Sequence, residues 1–417
     1  MLVRAGRGQE SLGLCRSELH ASAEGDPWLS DLVVEAMQQH DLTAAGELAQ
    51  LLAASRWGSR WHPPRTTGGG ALAPPDRVPQ AQLSLPKLQH DVEQFGYLRA
   101  RGVLGREFDA VIGAYQDIAA RMEPLGVNVR VPMTPQDESR IGHVYNRIIH
   151  VASGPRLAQA LSPGWDRGNV QDRYLTGGPG LVVIDDFLTA EALASLQRFC
   201  RESTVWSGNR YADGRLGGFF FAGFNCPLLL QIAEEVRDAL PQVISGRHPL
   251  RQLWGFKNSP TLPGDSTVHA DFAAVNVNFW ISPEWANLDA ESGGLVVHDV
   301  AAPPSWDFGT YNESLDVIRR YLRERGAKAL KIPYRQNRAI IFNSDLFHAT
   351  SKIHWQSDYE TRRVNITMLY GEREHDDHHP MSAAAVDLGN AGWPHTVPRP
   401  HTASAAWRSN AFGARRR

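Results

Sequence analysis

The chain has 417 residues, a length that implies two or three domains, or one domain with a large helical extension. Apolar residues make up 42% and charged residues 21%, with a formal net charge of -2. This is the composition of a globular protein without the basic excess that a phosphate backbone would require, so nucleic acid is set aside as a partner.

The three cysteines, Cys15, Cys200 and Cys226, are widely spaced and form no CxxC pair. That argues against a zinc knuckle or a disulfide framework and for a reducing compartment. No run of about 18 apolar residues occurs, so neither a membrane span nor a membrane partner is expected. Met1 to Glu10 lacks the apolar core of a leader, and the expected location is cytoplasmic.

In chain order, residues 27 to 61 read as two short helices. Trp28, Leu29, Leu32, Val33, Ala36 and Met37 recur at helical spacing, Asp41-Leu42 interrupts, and Leu48, Leu51, Leu52 and Trp57 resume it. Residues 1–61 are therefore a helical extension. It packs on the rest of the chain or serves as an adaptor through which another protein is contacted. Residues 62–86, with His62-Pro63-Pro64, Gly68-Gly69-Gly70, Pro74-Pro75, Pro79 and Pro86, read as a linker. Residues 87–176 read as helical support, with Phe108, Val111, Ile112, Tyr115, Ile118 and Met122 on one face. A second apolar cluster runs from Ile141 through Val144, Tyr145 and Ile148 to Ile149.

The character changes at Gly177-Gly178. Leu181 to Ile184 predicts a strand, Thr189 an N-cap for a helix through Leu193, Leu196 and Phe199, and Pro227 the first turn of a helix ending near Leu240. From Leu253 onward short strands dominate: Val275 to Ile281, Gly294 to Val297, Ala339 to Phe342 and Arg363 to Tyr370. The whole reads as α+β, with a barrel or sandwich spanning 177–380 and a tail at 381–417.

His269-Ala270-Asp271 places an imidazole and a carboxylate at i and i+2, on one face of a strand. That pair leaves a metal ion incompletely bound. The best third ligand is His348, which follows the apolar run Ala339-Ile340-Ile341-Phe342; a satisfied core histidine is the other reading. Two histidines and one carboxylate on one face of an octahedron leave three positions open for a bidentate cosubstrate and dioxygen. Alternation along 363–369 puts Arg363, Asn365 and Thr367 on one face. A guanidinium inside a barrel requires an anion, and a dicarboxylate would supply it. Neighbouring Arg362 then faces the other way or sits at the strand entrance. Asn276, Asn278 and Trp280 share a face after the ligand pair and are expected to line the pocket and contact cosubstrate or substrate; the other reading is that the asparagines satisfy loop backbone.

The set His269-x-Asp271, Gly293-Gly294-Leu295, Phe342-Asn343-Ser344 with His348, and Arg363-x-Asn365 resembles the iron(II)/2-oxoglutarate-dependent dioxygenase superfamily. The branch it looks most like contains prolyl 4-hydroxylases and phytanoyl-CoA hydroxylases, including bacterial members with N-terminal helices. Val182-Val183-Ile184-Asp185-Asp186-Phe187-Leu188 is similar to the start of that catalytic domain, and the likeness covers about residues 178 to 375. The resemblance implies a double-stranded β-helix (jelly-roll) and the cofactors Fe(II), 2-oxoglutarate and O2. It also implies that His269, Asp271 and His348 form the facial triad, that Arg363 bridges the distal carboxylate, and that the reaction is hydroxylation or another oxidation; the expected substrate is a small molecule or natural-product intermediate, with a peptidyl side chain as the alternative. Two departures from the pattern stand out. Asn365 replaces a common serine, and the stretch between His348 and Arg363 is long, with His354 and Trp355 inside it.

Other features carry less. His375-Asp376-Asp377-His378-His379 reads as an exposed loop and His298 as a strand-end residue. Phe219-Phe220-Phe221 with Phe224 either walls a pocket or packs the core. Arg210, Tyr211 and Arg215 are candidates to meet a substrate anion. A jelly-roll binding protein without turnover and a zinc hydrolase on a cupin-like barrel are the alternatives to an oxygenase.

Overall fold

Period-two alternation sorts each central strand into two faces, and the faces find different partners. A computed structural model of the chain describes residues 27–58, 82–244, 248–264 and 267–373. In β7 (Val275–Trp280) and β13 (Val364–Tyr370), Val275, Val277, Phe279, Val364, Ile366, Met368 and Tyr370 join a large apolar core. Helices form the other side of that core: α1 (Pro27–Gln38), α2 (Leu42–Trp57), α7 (Ala190–Glu202) and α8 (Pro227–Ala239). The opposite faces of the two strands turn inward, toward a second sheet.

The larger sheet is antiparallel, in the order β3-β10-β7-β13-β5-β4, with β3 at Leu181–Ile184, β4 at Leu216–Phe219, β5 at Leu250–Lys257 and β10 at Ala339–Asn343. The smaller sheet is β11-β8-β9, with β8 at Leu295–Ala301, β9 at Ala329–Ile332 and β11 at Leu346–Thr350. His269 extends it, exchanging backbone hydrogen bonds of 3.0 and 2.8 Å with His348. From β5 onward the chain crosses repeatedly between the two sheets, which is a double-stranded β-helix. Trp280, Leu295, Val297, Ile332, Ile340, Phe342 and Trp355 fill one end between the sheets, and the other end is open.

The helices follow local rules. Asp41 caps α2 by accepting from the Ala44 amide at 3.0 Å, Thr189 caps α7 through the Ala192 amide at 3.2 Å, and a proline opens α8. Between α2 and the sheets lie β1 (Gln82–Ser84), α3 (Leu85–Ala100), α4 (Phe108–Met122), β2 (Arg130–Pro132), α5 (Pro135–Ile141) and α6 (Arg167–Thr176). Helices α3 to α5 enclose a core of their own around Phe95, Phe108, Tyr115 and Tyr145.

The linker expectation for 62–86 needs correction where the structure describes it. Gln82–Ser84 pairs with β2, and Pro86 lies in the first turn of α3; residues 62–81 lie outside the described residues, as do His62, Cys15, the 374–379 histidine stretch and the 381–417 tail. No helix among the described residues is long and apolar enough to cross a membrane.

The Gly293-Gly294 pair has a steric origin. Gly293 sits at φ +74°, and a Cβ on Gly294 would overlap the Ile332 carbonyl oxygen of β9. Backbone cannot swing aside, so Gly294→Ala is expected to destabilise the fold by at least about 2 kcal/mol. A urea unfolding midpoint equal to that of the native protein would contradict this close approach.

Candidate active site

The ligand pair sits at the open end. His269 and Asp271 leave the strand direction after a single bridge to β11 rather than from a full ladder, so the expectation of a regular strand here is only partly met. A neighbouring segment compensates. The Ala270 amide donates to the Tyr311 carbonyl at 3.0 Å and Asn312 Nδ2 donates to the Ala270 carbonyl at 2.7 Å, clamping the tripeptide from both sides. Helix α9 (Leu315–Glu324) and Tyr311 then pack with Val268, Ala270, Phe347 and Ala349 behind the histidines.

His269, Asp271 and His348 offer donor atoms within 4.8 Å of one another. His269 Nε2 lies 3.6 Å and His348 Nε2 3.4 Å from the two Asp271 carboxylate oxygens. Both Nδ1 atoms face backbone carbonyls, Thr267 O at 2.6 Å and Leu346 O at 3.0 Å. A carbonyl oxygen can only accept, so each Nδ1 carries the proton and each Nε2 turns a lone pair toward the carboxylate. Burial above all, and then His348, pull the His269 imidazole down to about 4, with Asp271 opposing. The two Nε2 atoms and the Asp271 carboxylate therefore converge on one point. Facial ligands at about 2.1 Å from an octahedral ion stand about 3 Å apart, so the cluster fits a small divalent metal after a slight contraction.

Asn276 donates from Nδ2 to Asp271 Oδ2 at 2.6 Å. It positions the ligand carboxylate, a narrower task than the pocket lining expected of it, although it also faces the cavity. Removing such an outer partner typically costs 10–100-fold in metal affinity. Asn276→Ala is expected to weaken Fe(II) binding by about that factor with little change in melting temperature. Calorimetric metal titration showing native affinity would rule the role out.

The cavity, about 780 Å³ out to open solvent, is lined by the triad, by Asn276, Asn278, Asn365 and Thr367, and by an aromatic wall. Asn278 Nδ2 donates to Thr367 Oγ1 at 2.8 Å across the β7/β13 pair. Trp280 shares the strand face but lies beyond the cavity, stacked on Tyr334 with ring centroids 5.2 Å apart. This corrects its expected place in the lining. Arg363 lies between these two rings, 5.8 Å from each centroid and 2% exposed. Its Nε donates to the Gly293 carbonyl at 2.6 Å and its Nη1 to Asn365 Oδ1 at 3.1 Å. Both partners are neutral, and burial draws the guanidinium down to about 10. Trp280 Nε1 beside it is buried without an acceptor. Arg362 turns outward to Glu93 of α3, at 2.7 Å.

The long stretch after His348 is packed structure. Strand β12 (Ile353–His354) pairs with β6 (Thr261–Leu262), and the buried Trp355 indole donates to the Thr361 carbonyl at 2.7 Å. Of the phenylalanine run, Phe219 lines the cavity, while Phe220, Phe221 and Phe224 belong to the core. Sequence reasoning missed Gln252, Trp254 and Phe256 of β5, which line the cavity. The signal available was period-two spacing, since these three residues alternate with Leu253 and Lys257, which face away.

No family model and no curated protein matches the chain. Solved structures do resemble it over about half its length. They include the non-heme alpha ketoglutarate dependent carbocyclase SnoK from nogalamycin biosynthesis (13% identity, 54% of this chain and 93% of that one, TM-score 0.35). A Pseudomonas putida prolyl-4-hydroxylase matches at 14% identity, covering 50% and 99%, with a TM-score of 0.32. HygX from Streptomyces hygroscopicus, with nickel and 2-oxoglutarate bound, matches at 13%, covering 49% and 87%, with a TM-score of 0.33. At such identities and scores the likeness is one of fold outline, and the site stands on its own geometry.

Proposed function

We propose that this chain is a non-haem Fe(II) oxygenase that consumes 2-oxoglutarate and dioxygen and hydroxylates an unactivated C–H bond of a small molecule. The observation that supports it is the convergence of two tautomerically fixed Nε2 lone pairs and the Asp271 carboxylate within 4.8 Å, beside a buried Arg363 that has no carboxylate partner among the described residues. When bound, ferrous ion with 2-oxoglutarate and dioxygen would supply oxidation coupled to decarboxylation, leaving succinate.

The side chains do the rest. His269, Asp271 and His348 would hold the metal on one face, Asn276 orients the carboxylate, and Asn312 steadies the backbone between the first two ligands. Arg363 would bind the distal carboxylate of the cosubstrate, with the acceptor-free Trp280 N–H as a second donor. Asn365 couples that guanidinium to the cavity, and Tyr211, Phe219, Trp254 and Phe256 would give the substrate an apolar wall. Helices α1 and α2 turn their apolar faces into the protein's own core, so a small-molecule substrate is preferred to a protein recruited by them.

The test is an anaerobic titration with Fe(II) and 2-oxoglutarate, followed by oxygen exposure with succinate as the readout. A visible charge-transfer band and oxygen-dependent succinate are expected. No band, or turnover without oxygen, would favour a zinc hydrolase or a silent barrel instead.

A further inference from the structure

The cavity is lined by a buried cation, Arg215, to which the proposed function gives no role. Arg215 immediately precedes β4, follows a tight turn through Gly214 at φ +76°, and is 9% exposed. It lines the same cavity as His269, Asp271 and His348. Among the described residues its guanidinium has no hydrogen-bond or ion-pair partner, and its Nε is buried without an acceptor. Its neighbours are rings: the Tyr211 centroid at 6.0 Å and the Phe256 centroid at 5.7 Å. Among the described residues Tyr211 and then Asp213 act on its charge, and the Asp213 side chain is partly exposed and engaged with Asn128. Arg210, by contrast, lies outside the cavity lining, with Nη2 on the Tyr211 hydroxyl at 3.3 Å.

Ring faces compensate a buried guanidinium only in part, and a charge removed from water without an anion is costly to keep. Arg363 is not among the residues lining this cavity, and the two guanidiniums repel each other, so Arg215 gains no counter-charge from that side. A buried guanidinium that lines a cavity and has no carboxylate partner among the described residues calls for an anion from that cavity.

We propose that Arg215 receives an oxyanion of the substrate, and that the substrate is an aromatic or similarly flat carboxylic acid whose body lies against Tyr211, Phe219, Trp254 and Phe256. The planar fork matches a carboxylate through two parallel hydrogen bonds, and the rings supply an apolar surface on which a flat body stacks. This placement would leave the acid's carbon chain beside the metal ligands. The inference takes the word substrate from the oxygenase reading; the anion site itself does not depend on it.

The experiment uses the full chain with Fe(II) under anaerobic conditions and saturating 2-oxoglutarate, titrated calorimetrically with 3-phenylpropionate, its neutral amide and phenyl phosphate. The acid is expected to bind at least about 10-fold more tightly than the amide. In Arg215→Met that advantage should vanish while the 2-oxoglutarate titration is unchanged. Arg215→Lys should keep part of it, which covers the case of a methionine variant that does not fold. Preference for phenyl phosphate, lost in the variants, would support the oxyanion site and overturn the carboxylate assignment. Equal binding of acid and amide, no binding of any probe, or loss of 2-oxoglutarate binding in Arg215→Met would overturn the proposal. If the charge-transfer band is absent but Arg215-dependent acid binding persists, the oxygenase reading fails and the anion site stands.

Discussion

His348→Ala is expected to abolish oxygen-dependent succinate formation, by at least about 10³-fold, and to remove the visible band of the ferrous 2-oxoglutarate chelate. His348 is one of three protein donors, and alanine supplies no ligand in its place. Metal polarisation is worth several kcal/mol of barrier, and about 4 kcal/mol corresponds to that factor. The His348 ring is also buried edge-on to Phe342, so its truncation costs packing and the melting temperature should fall modestly even without metal. A variant that keeps the band would show that His348 is a packed core histidine, held by Phe342 at 4.8 Å.

Arg363→Met is expected to raise the KM for 2-oxoglutarate by about 10²-fold or more, since truncating one partner of a buried charged pair costs 2–5 kcal/mol. Lysine should restore only a fraction, because an ammonium cannot reproduce the fork that spans the Gly293 carbonyl, Asn365 and a carboxylate together. A control is built into the chain. Arg362→Met loses an ion pair with Glu93 on the outside of the barrel and should leave the KM unchanged. If Arg363 served only to latch the Gly293 turn, Arg363→Met would lower the melting temperature with the KM unaltered. Steady-state kinetics with 2-oxoglutarate as the varied component separates the two.

Much of this architecture is local in origin and can be read from the order of residues. Asp41, Thr189 and Pro227 mark helix starts because a cap is satisfied within three residues. The inward face of β13 is legible in Arg363, Asn365 and Thr367 because side chains alternate whatever the strand pairs with. The i, i+2 spacing of His269 and Asp271 is equally intrinsic, and so is the need for a third donor.

Which strands close on which is not local, and that decided the remainder. The 269/348 bridge, the Asn312 clamp on Ala270 and the Glu93 partner of Arg362 span 42 to 269 positions along the chain. Trp280 shares the face of Asn276 and Asn278, yet it ends under a guanidinium because the barrel is filled at that end and open at the other. Gln252, Trp254 and Phe256 became cavity wall only when β5 paired with β13, and Arg215 became a buried cation only when β4 paired with β5. Alternation assigns a side chain to a face; burial and charge depend on what the opposing sheet and helices put against that face.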